Sequence, residues 1–194
     1  MAVALTTAVP AALAGVGTFA TFTATTSASN TLASGTVVIA LGNTGASTNR
    51  LTVNASGLVP GDTMQRSFDL SNTGSQDLAS VAVTTTASPS SLLDTDATNG
   101  LQMVVDRCSV AWTESGSSPA FSYSCSGSTT TIITSRAVIQ SALTMAGLSA
   151  LTAAGTDHLR LTLTFPSSAG ATLQGLSSTL TYSFLGTQRA GSAH

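Results

Sequence analysis

The run HLRLTLTF, residues 158–165, places Leu159, Leu161, Leu163 and Phe165 at every second position, with His158, Arg160, Thr162 and Thr164 between them. Successive side chains of a β-strand point to opposite faces, so this pattern makes one apolar face and one polar face. The same period recurs along the chain. TMQRSFDLSN aligns Met64, Phe68 and Leu70, and STLTYSF aligns Leu180, Tyr182 and Phe184. Arg66 falls on the face of Phe68, where its stem packs inward and its head reaches the rim. TVVIAL aligns Val37, Ile39 and Leu41; RLTVNA aligns Leu51 and Val53; LASVAVTTTA aligns Ala79, Val81 and Val83; LQMVV aligns Leu101, Met103 and Val105. VAW, AFSY and TTTIIT are shorter candidates.

Turn chemistry separates these runs. In LVPGD, Pro60 presets φ and Gly61 permits the bend; SNTGSQD and SPSSLLDTDATNG are turn-rich loops. Many short strands between turns predict an all-β fold, a jelly-roll or Ig-like β-sandwich. Such a sandwich has edges, and edges invite another strand. SRAVIQSALTMAGLSALTAAG (135–155) fits a short helix or an irregular crossover: Ile139, Leu143 and Ala146 suit a helical face, but Thr and Gly interrupt it.

Composition narrows the function classes. Only 7% of residues are charged, against roughly 25% in an ordinary soluble domain. The cations are Arg50, Arg66, Arg107, Arg136, Arg160 and Arg189, with no lysine, and the formal net charge is -2. No basic patch exists to neutralise a phosphate backbone, which argues against nucleic acid. Without lysine, lysine-amide cross-links and sortase joining through a lysine are closed to this chain. A hydroxyl-rich surface with few charges does little to hold copies apart and favours self-association.

AVALTTAVPAALAGVGTFA, near the start, reads as the apolar and small-residue parts of an export signal, although no Lys or Arg precedes Arg50. The reading divides the chain into a signal-like segment (1–20), an extended segment (21–33) and a sandwich domain (34–194). Cys108 and Cys125 are the only cysteines. In an exported protein they predict one structural disulfide closing a hairpin-like loop.

Three pieces in this order resemble the TasA/camelysin family of exported proteins, which a SipW-type signal peptidase processes. They are GTFATFTATTSASNTLASGTVVIAL, LVPGDTMQRSFDLSNTG, and TDHLRLTLTF followed by LQGLSSTLTYSFLGTQRAG. The last is similar to the end of actinobacterial members. The resemblance implies a jelly-roll-like sandwich, secreted to an extracellular fibre or the cell surface, that polymerises into a homopolymeric filament. It also implies that the segment after the signal is a donor strand completing a neighbouring copy's sheet. Here that segment is Thr21 to Leu32, with Thr21, Phe22, Thr23, Ala24, Thr25, Thr26, Ser27, Ala28 and Leu32 as its contact residues. The residues suit the role: they are uncharged, free of Pro and Gly, and Phe22 and Leu32 can anchor in side-chain pockets. Head-to-tail donation is a heterologous contact and builds an open filament. Pairing of this segment within its own subunit, or a free tail, is the plainer alternative.

Enzyme chemistry finds little support. A catalytic zinc needs about three protein ligands and an open position. The chain has only His158 and His194, and no HExxH. Asp94, Asp96, Asn99 and Asp106 could offer oxygen ligands to Ca²⁺, but the spacing fits a capped turn better. NAS at Asn54 is a weak sequon, and no Ser–His–Asp set can be assigned. The sequence therefore predicts a non-enzymatic filament subunit with no cofactor, metal or small-molecule substrate, whose partner is itself, with room for an accessory or anchoring subunit. One rival is a monomeric secreted adhesion module using Trp112, Phe121 and Tyr123 as an aromatic platform. A camelysin-like metalloprotease is the other.

Overall fold

The computed structural model describes residues 35–55 and 57–191, with the side chains of 53–55 outside the description. The signal-like segment, the donor segment Thr21 to Leu32 and His194 lie outside the described residues. The strands are β1 (Ile39–Leu41), β2 (Val53–Ala55), β3 (Thr63–Asn72), β4 (Leu78–Ala87), β5 (Gln102–Cys108), β6 (Thr113–Ser117), β7 (Ala120–Ser124), β8 (Thr129–Ala137), β9 (Gln140–Thr144), β10 (Thr156–Thr164) and β11 (Ser178–Gln188). One helical turn, α1 (Leu92–Thr95), joins β4 to β5.

These strands form an all-β sandwich. One sheet has the order β1-β3-β10-β5-β8, the other β2-β11-β4-β9, and β6 and β7 make a separate hairpin. Every pairing is antiparallel. From β1 to β5 the chain changes sheet at each step, as in a jelly roll. The alternating letters of β10 explain its central place. Leu159, Leu161 and Leu163 are buried, and Leu161 lies opposite Arg66 on one side and Val105 on the other. Phe68, Leu70, Met103 and Ile133 join them from the same sheet, and Val81, Val83 and Leu180 face them from the second. Each such side chain contributes about 1.5–3 kcal/mol on burial. The rings of Phe68 and Phe184 meet across the layers at 5.4 Å.

The turn before β3 follows its letters. Asp62 N–H donates to Val59 O at 3.0 Å, and Gly61 takes φ 100°, a conformation that a residue with a Cβ resists.

Four expectations need correction. Ala79 does not share the buried face of Val81 and Val83; it is exposed and Leu78 is buried instead. A register shift against β11, where Ser80 faces Thr187 but Leu78 faces Gln188, adds a residue to β4 and reverses the alternation. The stretch 135–155, read as either a short helix or an irregular crossover, has no α-helix and forms instead the end of β8, the strand β9 and a 3₁₀ turn (Ser149–Leu151). Buried Asp157 holds that turn by accepting from Ser149 N–H at 2.9 Å and Ala150 N–H at 2.8 Å. The helix lies instead in the 88–100 loop, where Ser91 and Asp94 make a reciprocal capping box. Finally, β6 starts after Trp112 rather than containing it.

Candidate functional site

β11 is paired unequally on its two sides. Towards β4 it is matched along its length, from Leu180 opposite Ala87 to Gln188 opposite Leu78. Towards β2 it is matched only from Ser178 to Leu180. Thr179 accepts from Ser88 N–H at 2.9 Å and donates to Pro89 O at 3.2 Å, so its main-chain groups face the β4 side. Main-chain groups alternate in an antiparallel ladder. Tyr182, Phe184 and Gly186 therefore turn theirs to the opposite flank, where no strand pairs with them among the described residues.

Two neighbours shape this flank. β1 reaches only three residues along β3, and Ile39 packs over Gly186, where an added Cβ would lie 2.3 Å from its Cδ1. A cleft of about 250 Å³ opens beside the strand, lined by Leu41, Thr44, Leu51, Thr52, Leu180 and Tyr182. Leu185, on the outer face, is 66% exposed. The margins at β8 and β9 are less regular. β8 shifts register twice against β5 and carries Arg136, and β9 shifts once and holds Ala142 at φ 48°. Bulges and charge protect an edge; the flank of β11 from Tyr182 to Gly186 has neither. Inside it, the hydroxyls of Tyr182 and its cross-strand neighbour Thr85 are buried without a hydrogen-bond partner among the described residues. Burial pushes the Tyr182 phenol up from its ordinary value.

Cys108 and Cys125 form a disulfide that closes the loop carrying β6 and β7. Trp112 and Tyr123 pack against it and are buried, at 9% and 7% exposure, so they are not an open platform. Trp112 Nε1–H donates to His158 O at 3.0 Å, and the Arg160 guanidinium lies 4.4 Å over the Trp112 ring. Arg160 also bonds Asp106 at 2.8 Å. Glu114 on β6 accepts from Arg50 Nη2 at 2.7 Å and Nε at 3.0 Å, and from the Tyr123 hydroxyl at 2.8 Å. Arg50 holds the Glu114 carboxyl below its usual range.

The four oxygen-bearing residues proposed for Ca²⁺ have other partners. Asp94 accepts from Ser91 N–H and from Ser90 and Ser178 hydroxyls. Asp96 Oδ1 accepts from Thr98 and Asn99 N–H, both at 2.9 Å, and these bonds hold its carboxyl below the usual range. Asn99 also donates its side-chain amide to Asp96, and Asp106 takes Arg160 and the Thr131 hydroxyl. His158 Nδ1 lies 2.8 Å from Asp69 Oδ1. Among the described residues no three His, Cys, Asp or Glu side chains converge on a metal position, and both cysteines are spent in the disulfide. These residues do not fit a protein-held zinc site.

The open flank of β11 was not singled out by sequence reasoning. STLTYSF disclosed a strand, but which neighbour stops short of it is a property of the pairing. A family model described as Camelysin metallo-endopeptidase matches residues 1–193. No curated protein matches the chain.

Proposed function

The chain belongs to the TasA/camelysin family, and from that premise we propose that it is a non-enzymatic structural subunit of a non-covalent extracellular filament. In this reading copies join head to tail, with Thr21 to Leu32 of one added as a strand to the next. The observation that carries it is the flank of β11 from Tyr182 to Gly186, with which no strand pairs among the described residues. An added strand gains main-chain hydrogen bonds there, and the cleft beside Leu41 and Leu51 offers room for an apolar anchor such as Phe22. Low charge and the absence of lysine leave little repulsion between copies. The protein is secreted in this account, its partner is itself, and an accessory subunit could start or anchor the polymer.

Negative-stain electron microscopy of the native extracellular protein tests this. Filaments are expected from the full chain and none from a version lacking residues 21–32. Leu185→Lys places a charge beside the open flank at an exposed position, so it should block filaments while leaving the thermal midpoint nearly unchanged. Filaments from all three proteins would move the contact elsewhere. Monomers under native conditions throughout would overturn the reading.

The name of the matching family favours a second reading, a metallo-endopeptidase. It needs ligands beyond the His158–Asp69 pair. Casein cleavage lost on chelation, in protein free of contaminating proteases, would establish it.

A further inference from the structure

Arg66 is 6% exposed, yet it forms no ion pair among the described residues. Its one hydrogen bond runs from Nη1 to the main-chain carbonyl of Gln65 at 2.6 Å. A guanidinium has five N–H donors, and burying one without a counter-charge is costly. Glu114, whose charge acts on Arg66, is already engaged. Both oxygens of Glu114 are taken by Arg50, and one also accepts from Tyr123. Each nitrogen of Arg50 is engaged as well, the third donating to the carbonyl of Gly45. Two arginines and one glutamate thus leave the cluster one positive charge in excess. Desolvation accordingly lowers the affinity of Arg66 for its proton.

The uncompensated head group faces open space. A cleft of about 200 Å³ is lined by Thr44, Arg50, Thr52, Arg66, Ser118 and Phe121. Phe121 forms one wall, its ring centre 4.5 Å from the Arg50 guanidinium carbon and 5.4 Å from that of Arg66. Glu114 and the disulfide-closed hairpin fix Arg50 and Phe121 in place before any ligand arrives.

We propose that this cleft binds a small, hydroxyl-rich carboxylate of the uronic-acid type. The carboxylate takes the free N–H groups of Arg66, a fork that suits two-point binding of a planar anion. The hydroxyls of Thr44, Thr52 and Ser118 serve the sugar hydroxyls, and the Phe121 ring packs on the C–H face. This cleft adjoins the one beside β11, with which it shares Thr44 and Thr52, but the carboxylate position at Arg66 lies outside that neighbour and stands whether or not copies polymerise.

Isothermal titration of the full chain with sodium glucuronate tests it, with glucose as neutral control and sodium acetate as a carboxylate without hydroxyls. Saturable binding of glucuronate is expected, with none of glucose and weaker binding of acetate. Arg66→Gln should abolish the signal. Arg66→Lys keeps the charge but not the fork, and should weaken binding roughly tenfold; both variants are checked for an unchanged circular dichroism spectrum. If Arg66→Gln does not fold, the Lys variant alone decides. No heat with glucuronate, or equal affinity in a folded Arg66→Lys or Arg66→Gln variant, overturns the site. Acetate binding as tightly as glucuronate upholds the carboxylate position and overturns the sugar. Inhibition of self-association by acetate and glucuronate alike would point to an acidic side chain of a second copy, and would also overturn the sugar.

Discussion

Between the two sheets, Leu161, Phe165, Val81 and their neighbours are held by burial alone. Under the hairpin, a disulfide, three arginine–aromatic contacts and two arginine–carboxylate pairs act around three aromatic rings. The sandwich core has a large apolar area and needs no cross-link. The hairpin has little area to bury, and its cohesion depends on oxidation state and on charge. A chain with so few charged residues places three of its six arginines in this one cluster. The charges hold an appendage in place while the sandwich supplies the scaffold.

The largest effect should come from the core. Phe165→Ala removes a fully buried ring and should cost about 3–5 kcal/mol in denaturant unfolding. A cost below about 1 kcal/mol would mean that the two regions do not differ as described. Next, replacing both Cys108 and Cys125 by Ser opens a loop with a sequence separation of 17 and should cost roughly 3 kcal/mol. Amide exchange should then quicken at Glu114 and Tyr123 but not at Leu161. Uniform quickening would show that hairpin and sandwich open as one unit.

Acid should separate the regions more gently. The Glu114 carboxyl is held below its usual value by Arg50. Its contribution is present above the unfolded value and is lost as pH falls through the lower folded one. Protection of the hairpin amides, taken relative to their intrinsic exchange at each pH, should fall as pH drops below about 4.5, and Glu114→Gln should remove that dependence. Within the core the smallest change is expected from Tyr182→Phe. Removing an orphaned buried hydroxyl should be neutral or stabilise by on the order of 1 kcal/mol. Because folding raises the Tyr182 value, its contribution is full below pH 10 and is lost as pH climbs above it. The Phe variant should flatten that alkaline decline.

Much of the sandwich was legible because its strands state their period openly. TMQRSFDLSN is the whole of β3, and the inward set of β10 matches its alternating letters. What escaped depends on events outside the local pattern. Ala79 lost its face to a bulge set by the partner strand. The four residues of α1 are too few to show a helical period, though Ser91 and Asp94 carry its cap. β9 escaped because Ile139, Leu143 and Ala146 also fit the spacing of a helical face. At the candidate site the donor segment lies outside the described residues, and the open flank of β11 arises because β2 begins only at Val53, opposite Leu180. Arg66 was readable as a cation on an apolar face, but its missing counter-charge was not, because Glu114 comes 48 residues later and is captured by Arg50.

The flank of β11 also bears on fidelity. A ladder of main-chain bonds reads no letters, since every residue but proline offers the same N–H and C=O. Selection therefore falls to the few side chains at the cleft, Leu41, Leu51 and Tyr182, which can reject a charge but distinguish one apolar anchor from another only weakly. In the filament proposed here, copies that diverged within residues 21–32 would remain mutually compatible, and a mixed population would blend rather than sort.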